Sequence, residues 1–267
     1  MTKNIFVKNL LLSFLLSFIC LQHISAQDSL TVEEKEDSTI ISQRKLEDNT
    51  HQFSYKKLII PTVFISYGFA SLSIDDLKKL NYSTQYEIRE HQPNQNKLDN
   101  FTKFAPAALV YGLNAIGVKG KHNFKERSII YGTSLLITSA ITLPLKHVTK
   151  EERPDQSNNM SFPSSHTAIA FASAQFMYRE YHETNFLLGI SGYSFAVFTG
   201  VYRMLNDKHW LGDVIAGAGF GILSTEIAYW LYPKSNYLLG GKKDNSKTMI
   251  MPYYQKGNAG IGFVKNF

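Results

Sequence analysis

Three short runs of the chain hold side chains whose types and spacing could do chemistry. One is Arg203-Met-Leu-Asn-Asp-Lys-His209-Trp-Leu-Gly-Asp213, in which His209 and Asp213 stand four residues apart. On a helix they share a face. A carboxylate that bonds one imidazole nitrogen fixes the tautomer and leaves the other nitrogen free to attack. The same spacing also occurs as surface decoration. It could offer two ligands to a metal, although no third ligand is evident from spacing. A second run, Phe162-Pro163-Ser164-Ser165-His166-Thr167, opens a segment of small residues. Pro163 fixes the approach, Ser164 or Ser165 can cap, and the free N–H groups of a helix start would bind an anion with His166 beside it. An ordinary capped helix with an incidental histidine would look the same. The third run spans Lys146 to Arg153-Pro154 directly after a long apolar stretch. Basic residues placed there usually cap a helix dipole.

Taken together the runs are far more specific than each alone. Lysine, six residues, Arg-Pro; then Pro-Ser-x-His; then arginine, five residues, histidine, three residues, aspartate: this order resembles the phosphatidic acid phosphatase type 2 / vanadium-dependent haloperoxidase superfamily. The similarity covers roughly residues 58–232. It implies a metal-independent phosphatase in which His209 is the nucleophile that forms a phosphohistidine and Asp213 orients it. His166 would protonate the leaving oxygen and then activate water. Lys146, Arg153 and Arg203 would hold the phosphate oxygens, with Ser164 and the backbone N–H of Ser165. Three fixed cations then stabilise the charge spread over the equatorial oxygens, with no cofactor or metal. Two positions depart from the family's habit. Ser165 stands where glycine is usual, adding bulk and resisting positive φ. Tyr202 stands where serine often precedes the arginine, and is expected to reshape the pocket rim.

The elements that must position these residues read as helices. Apolar segments over Leu58–Ile74, Phe104–Val118, Ser128–Leu145, Thr167–Tyr178, Phe186–Tyr202 and Leu211–Tyr232 predict an all-α bundle of about six helices, with the site at helix ends. Residues 75–101 read as a polar link with an amphipathic stretch near Leu77–Ile88. Ser128–Leu145 and Phe186–Tyr202 are uncharged but have 18 and 17 residues, barely enough to span a bilayer. Lys119, Lys121, Lys125 and Arg127 place loop 119–127 in the cytoplasm by the positive-inside rule. A cleaved signal followed by two full spans, Leu58–Ile74 and Phe104–Val118, would put that loop outside, so the two arguments conflict.

The bulk numbers bound the rest. The 267 residues suffice for one domain with a full core, and the mean hydropathy of −0.17 is low for a protein made wholly of membrane spans. The net charge of +6 shows no basic stripe interleaved with aromatics, which argues against nucleic acid. Residues 1–26 read as a secretory signal peptide: Lys3 and Lys8, an apolar run, then His-Ile-Ser-Ala. Cys20 is the one cysteine and lies within it, so thiol chemistry is excluded from the mature chain. A polar linker over 27–56, a catalytic domain over 57–233 and a tail over 234–267 complete the expected organisation. Met249–Tyr254 and Ala259–Val264 read as a β-hairpin. The expected setting is the exported side of a bacterial cell envelope, membrane-associated, with the site facing the periplasm and no obligate protein partner. The expected substrate is a phosphorylated lipid or polyprenyl diphosphate. A soluble broad-specificity periplasmic acid phosphatase, a vanadate-dependent haloperoxidase and an inactive membrane protein are the alternatives.

Overall fold

In the computed structural model, residues 54–90, 97–238, 248–255 and 258–265 are described. The expected signal peptide and nearly all of the linker lie outside them. A short 3-10 turn, Tyr55–Leu58, leads into α1 (Ile59–Ser73). Ile74 then leaves the helix in an extended conformation, and the axis turns by 94° into α2 (Asp75–Glu90). The chain continues through α3 (Asp99–Thr102), α4 (Ala105–Ala115), α5 (Phe124–Thr149), α6 (Ser165–Tyr181), α7 (Phe186–Leu205) and α8 (Leu211–Leu238). All six expected helices are present. The expected count of about six falls short because the polar link also folds, as α2 and α3. The last helix runs past the expected domain end at 233, carrying Pro233 within it. Thr248–Gln255 (β1) and Asn258–Lys265 (β2) pair antiparallel with Gln255 opposite Asn258, the hairpin expected from sequence.

The helix starts follow capping chemistry. Asn123 and Glu126 form a reciprocal capping box at α5, and Asn185 accepts from the Leu188 N–H at α7. The axis of the bundle is α6, with 13 of its 17 residues buried. Helix α8 lies against it closely enough that a Cβ on Gly221 would sit 2.2 Å from the Ala168 carbonyl oxygen, and one on Gly217 2.6 Å from that of Ser164. The small residues seen in sequence therefore act as a packing seam, letting two backbones approach. On its other side α8 meets α1 through Gly219 and Ala216.

At the end of the bundle formed by the C-terminus of α6, buried charge is paired. Arg179 meets Glu226 at 3.2 Å, Gln175 donates to the same carboxylate, and Tyr229 and His122 hold Glu180 at 2.8 and 2.6 Å. Large apolar side chains on the outer faces of α5 and α7, among them Leu136, Leu143, Val148 and Val197, are exposed. Among the described residues, Phe124–Thr149 and Leu211–Pro233 are long and apolar enough to cross a membrane, and the bent α1–α2 pair makes a third if counted as one span. Helix α4 has 11 residues, about 16 Å of rise against the ~30 Å of a hydrocarbon core. The Phe104–Val118 segment is therefore no full span, which removes one premise of the orientation conflict. The basic loop is also weaker as a signal than it looked. Arg127 is buried in α5 against Asn114, and Lys121 pairs with Glu183 at 2.6 Å.

Candidate active site

The remaining end of the bundle collects the C-termini of α5 and α7 and the N-termini of α6 and α8. This alternation brings the three sequence runs together. His209 lies in the loop before α8 and is almost wholly buried. Its Nδ1 is 3.5 Å from Asp213 Oδ2, so the two meet although His209 precedes the helix rather than sharing a face of it with Asp213 as the spacing suggested. Asp213 is held from two further directions. The Trp210 N–H donates to Oδ2 at 2.9 Å, and the Ser161 hydroxyl donates to the same oxygen while also lying 3.5 Å from His209 Nδ1. Ser161 is a site residue that sequence reading missed. It carries no spacing signal, and its partner lies 52 positions away.

The cations converge on the same imidazole. Lys146, near the end of α5, donates to the Met160 and Ser161 carbonyls at 2.8 and 3.1 Å. The charges of Lys146, Arg203 and Arg153 all bear on His209. The Nε atoms of Arg153 and Arg203 are buried without a hydrogen-bond partner. A buried guanidinium N–H left unmade costs free energy, so two such groups mark where an anion would complete the site.

Ser164 caps α6, accepting from the Thr167 N–H and hydroxyl at 3.4 and 2.9 Å, and its own N–H donates to the Asp213 carbonyl at 3.0 Å. The hydroxyl is thus already engaged within the helix start. Ser165 is the first helical residue, and it is absent from the positive-φ positions, which among the described residues are Lys150, Gln156, Asp207 and Gly117. Serine in place of glycine therefore carries no backbone strain here. Its N–H is one of the first-turn donors that a helix leaves unpaired internally. Tyr202 does not form a rim as expected. It is buried, stacked on Phe198 at 5.4 Å. His166 is the accessible member, with 27% of its side chain exposed against 2% for His209.

The link that sequence read as a spacer is a strap across these loops. From α2, Arg89 donates to Asp207 at 2.9 Å and to the Pro154 carbonyl at 2.6 Å, and Gln85 donates to Asp207. Asn81 accepts from the Gly212 N–H at 3.0 Å, and Tyr82 meets Trp210 edge-on at 5.1 Å. Lys208 and Asp155 tie the first run's loop to the third. A cavity of about 570 Å3 lies elsewhere, toward the opposite end, between Lys57, Phe64, Gln175 and Tyr193. It contains none of the three runs.

Residues 127–237, which hold all three runs, match the family model of the PAP2 superfamily. The match covers less than half of the chain and is a likeness of this segment to that superfamily. Among curated proteins, the chain is 34% identical over 186 residues to a lipid A 1-phosphatase of Porphyromonas gingivalis, covering 64% of this chain and 40% of that one. It is 33% identical over 78 residues to the bacitracin transport permease protein BcrC of Bacillus licheniformis, covering 29% and 36%. The chain thus matches well under half the length of either relative. Two solved structures are similar at a TM-score of 0.44. Aquifex aeolicus LpxE has 21% identity, with 56% of this chain and 94% of that one covered. A transmembrane PAP2-type phosphatidylglycerolphosphate phosphatase of Bacillus subtilis has 18% identity, with 69% and 97% covered.

The electrostatics at this end of the bundle favour neutral histidines. Burial, followed by the nearby cations, pushes His209 well below the usual histidine range. Burial, then Arg203 and Lys103, lowers His166 to about 4, against a smaller opposing pull from Asp99. The folded pKa lies below the unfolded value near 6.5, so the unfolded chain takes up a proton that the folded chain refuses. The stabilisation is full above about pH 6.5 and declines as pH falls toward 4. In thermal unfolding, the Tm difference between wild type and His166→Asn should therefore move in the variant's favour between pH 7 and 4.5. A difference that stays constant contradicts the assignment.

Proposed function

We propose that this protein is a metal-independent phosphatase that hydrolyses a lipid-linked phosphomonoester or diphosphate through a phosphohistidine on His209. The observation that carries this reading is the convergence of the His209–Asp213 pair with Lys146, Arg153, Arg203 and His166 at one end of the bundle. In the first step His209 Nε2 bonds to phosphorus as the bond to the leaving oxygen breaks, and His166 gives that oxygen its proton. In the second step water attacks phosphorus, His166 takes the water's proton, and the phosphorus–nitrogen bond breaks to restore His209. A phosphate arriving as a monoanion supplies the proton that a neutral His166 lacks, and its negative charge then favours the imidazolium.

The exposed apolar faces of α5 and α7, and the printed name of the Porphyromonas relative, support a substrate with a lipid tail and a bundle set in the membrane. Export, with the site on the periplasmic side, is the orientation we assign. Phosphate release from a lipid A-type glycolipid phosphate, phosphatidylglycerol phosphate, phosphatidic acid and a polyprenyl diphosphate should identify the substrate. Activity on at least one should survive EDTA. Loss of activity on chelation contradicts the metal-independent mechanism.

A further inference from the structure

Arg203 does not present its whole fork to a ligand. Asp99 Oδ2 lies 2.6 Å from its Nη1, with both side chains nearly buried. The same carboxylate oxygen is 4.0 Å from His166 Nε2, and the next residue's Asn100 Oδ1 is 2.8 Å from that nitrogen. Two consecutive residues of α3 thus hold the arginine and the histidine that would meet the phosphate. The turn itself is fastened: Thr102 Oγ1 lies 2.8 Å from Thr199 Oγ1, one turn before Arg203 on α7. Helix α3 lies outside the segment matched by the family model. A carboxylate built into an anion site is costly unless it does something there, because it repels the ligand that the cations attract.

We propose that Asp99 is a positioning residue that clamps Arg203 by Nη1, keeps its unpartnered Nε edge turned toward the phosphate, and weakens retention of the product oxyanion. The proposal rests on the phosphatase reading above. With Nη1 engaged, the Nε–Nη2 edge remains for a bidentate contact, the geometry that suits an arginine and two phosphate oxygens. The negative charge offsets part of the field of Lys146, Arg153 and Arg203. Inorganic phosphate, which must leave after each turnover, is then held less tightly than three uncompensated cations would hold it.

The test compares inhibition by inorganic phosphate and orthovanadate in wild type, Asp99→Asn, Asp99→Ser and Asp99→Ala. Asparagine keeps an acceptor for Arg203 while removing the charge. Its inhibition constant for phosphate should fall about tenfold, with kcat reduced as release slows. Alanine removes the clamp as well, so KM should rise. Asp99→Ser supplies a second charge-free variant if the asparagine protein folds poorly. A merely structural role would lower the yield of folded enzyme without moving the inhibition constants. Unchanged or weaker phosphate inhibition in both Asp99→Asn and Asp99→Ser overturns the proposal and leaves the phosphatase reading standing. A wild type that neither hydrolyses any lipid phosphate nor binds phosphate or vanadate overturns both.

Discussion

Substituting His209 with Ala should lower kcat for phosphate release by roughly 10^4-fold or more while leaving the fold intact. The size follows from the absence of a substitute. His209 is the imidazole buried at the base of the site, and His166 stands at its mouth. Water in its place would have to attack without the neighbouring Asp213 raising its nucleophilicity through a shared proton. The fold should survive because Asp213 keeps two donors, the Ser161 hydroxyl and the Trp210 N–H, and so is not left as an unpaired buried charge. The checks are steady-state kinetics on the best lipid substrate and a thermal unfolding curve. A variant that keeps a tenth of the wild-type rate removes His209 from the chemistry.

The second large effect separates the two half-reactions. With an activated aryl phosphate, whose leaving group needs no proton, His166→Ala should form the phosphoenzyme at close to the wild-type rate. It should then stall, because no base remains to deprotonate the attacking water. The second step should slow by about 10^2- to 10^4-fold. Stopped-flow kinetics should show a burst of leaving group equal to the enzyme concentration, followed by slow turnover. On an unactivated lipid phosphate both steps suffer and the burst disappears. Equal loss on the two substrates, with no burst on either, contradicts the double role of His166.

These roles rest on residues that the sequence singled out through the resemblance its three runs carry together. His209–Asp213 is an i, i+4 pair, Ser164 and His166 sit at a single helix start, and Lys146 and Arg153 flank one loop. Each run is local, so its residues stand near one another by spacing, although His209 precedes α8 instead of lying on it. Helix existence was legible on the same grounds, from apolar runs that match α1 and α4 to α8 closely. What escaped was long-range and polar. Asp99 meets Arg203 across 104 positions, Asn100 meets His166 across 66, and Gln85 meets Asp207 across 122. Nothing periodic announces such contacts, and a polar segment between apolar helices reads as a spacer. The strap formed by α2 illustrates this. Its amphipathic stretch was visible, but the face it covers became clear only once the loops carrying Pro154, Asp207 and Trp210 had been brought beneath it. Tyr202 failed in the opposite direction. Its place next to Arg203 suggested the pocket rim, yet a helix turns adjacent residues by about 100°, which sends Tyr202 onto Phe198 instead.

The central claim is a covalent phosphate on His209, and trapping tests it most directly. His166→Ala, mixed with a radiolabelled aryl phosphate and quenched in alkali, should carry label that is stable to base and released by acid. Peptide mapping should place that label on His209, and the double variant His209→Ala/His166→Ala should carry none. Label that persists in the double variant, or that maps to another residue, contradicts the account.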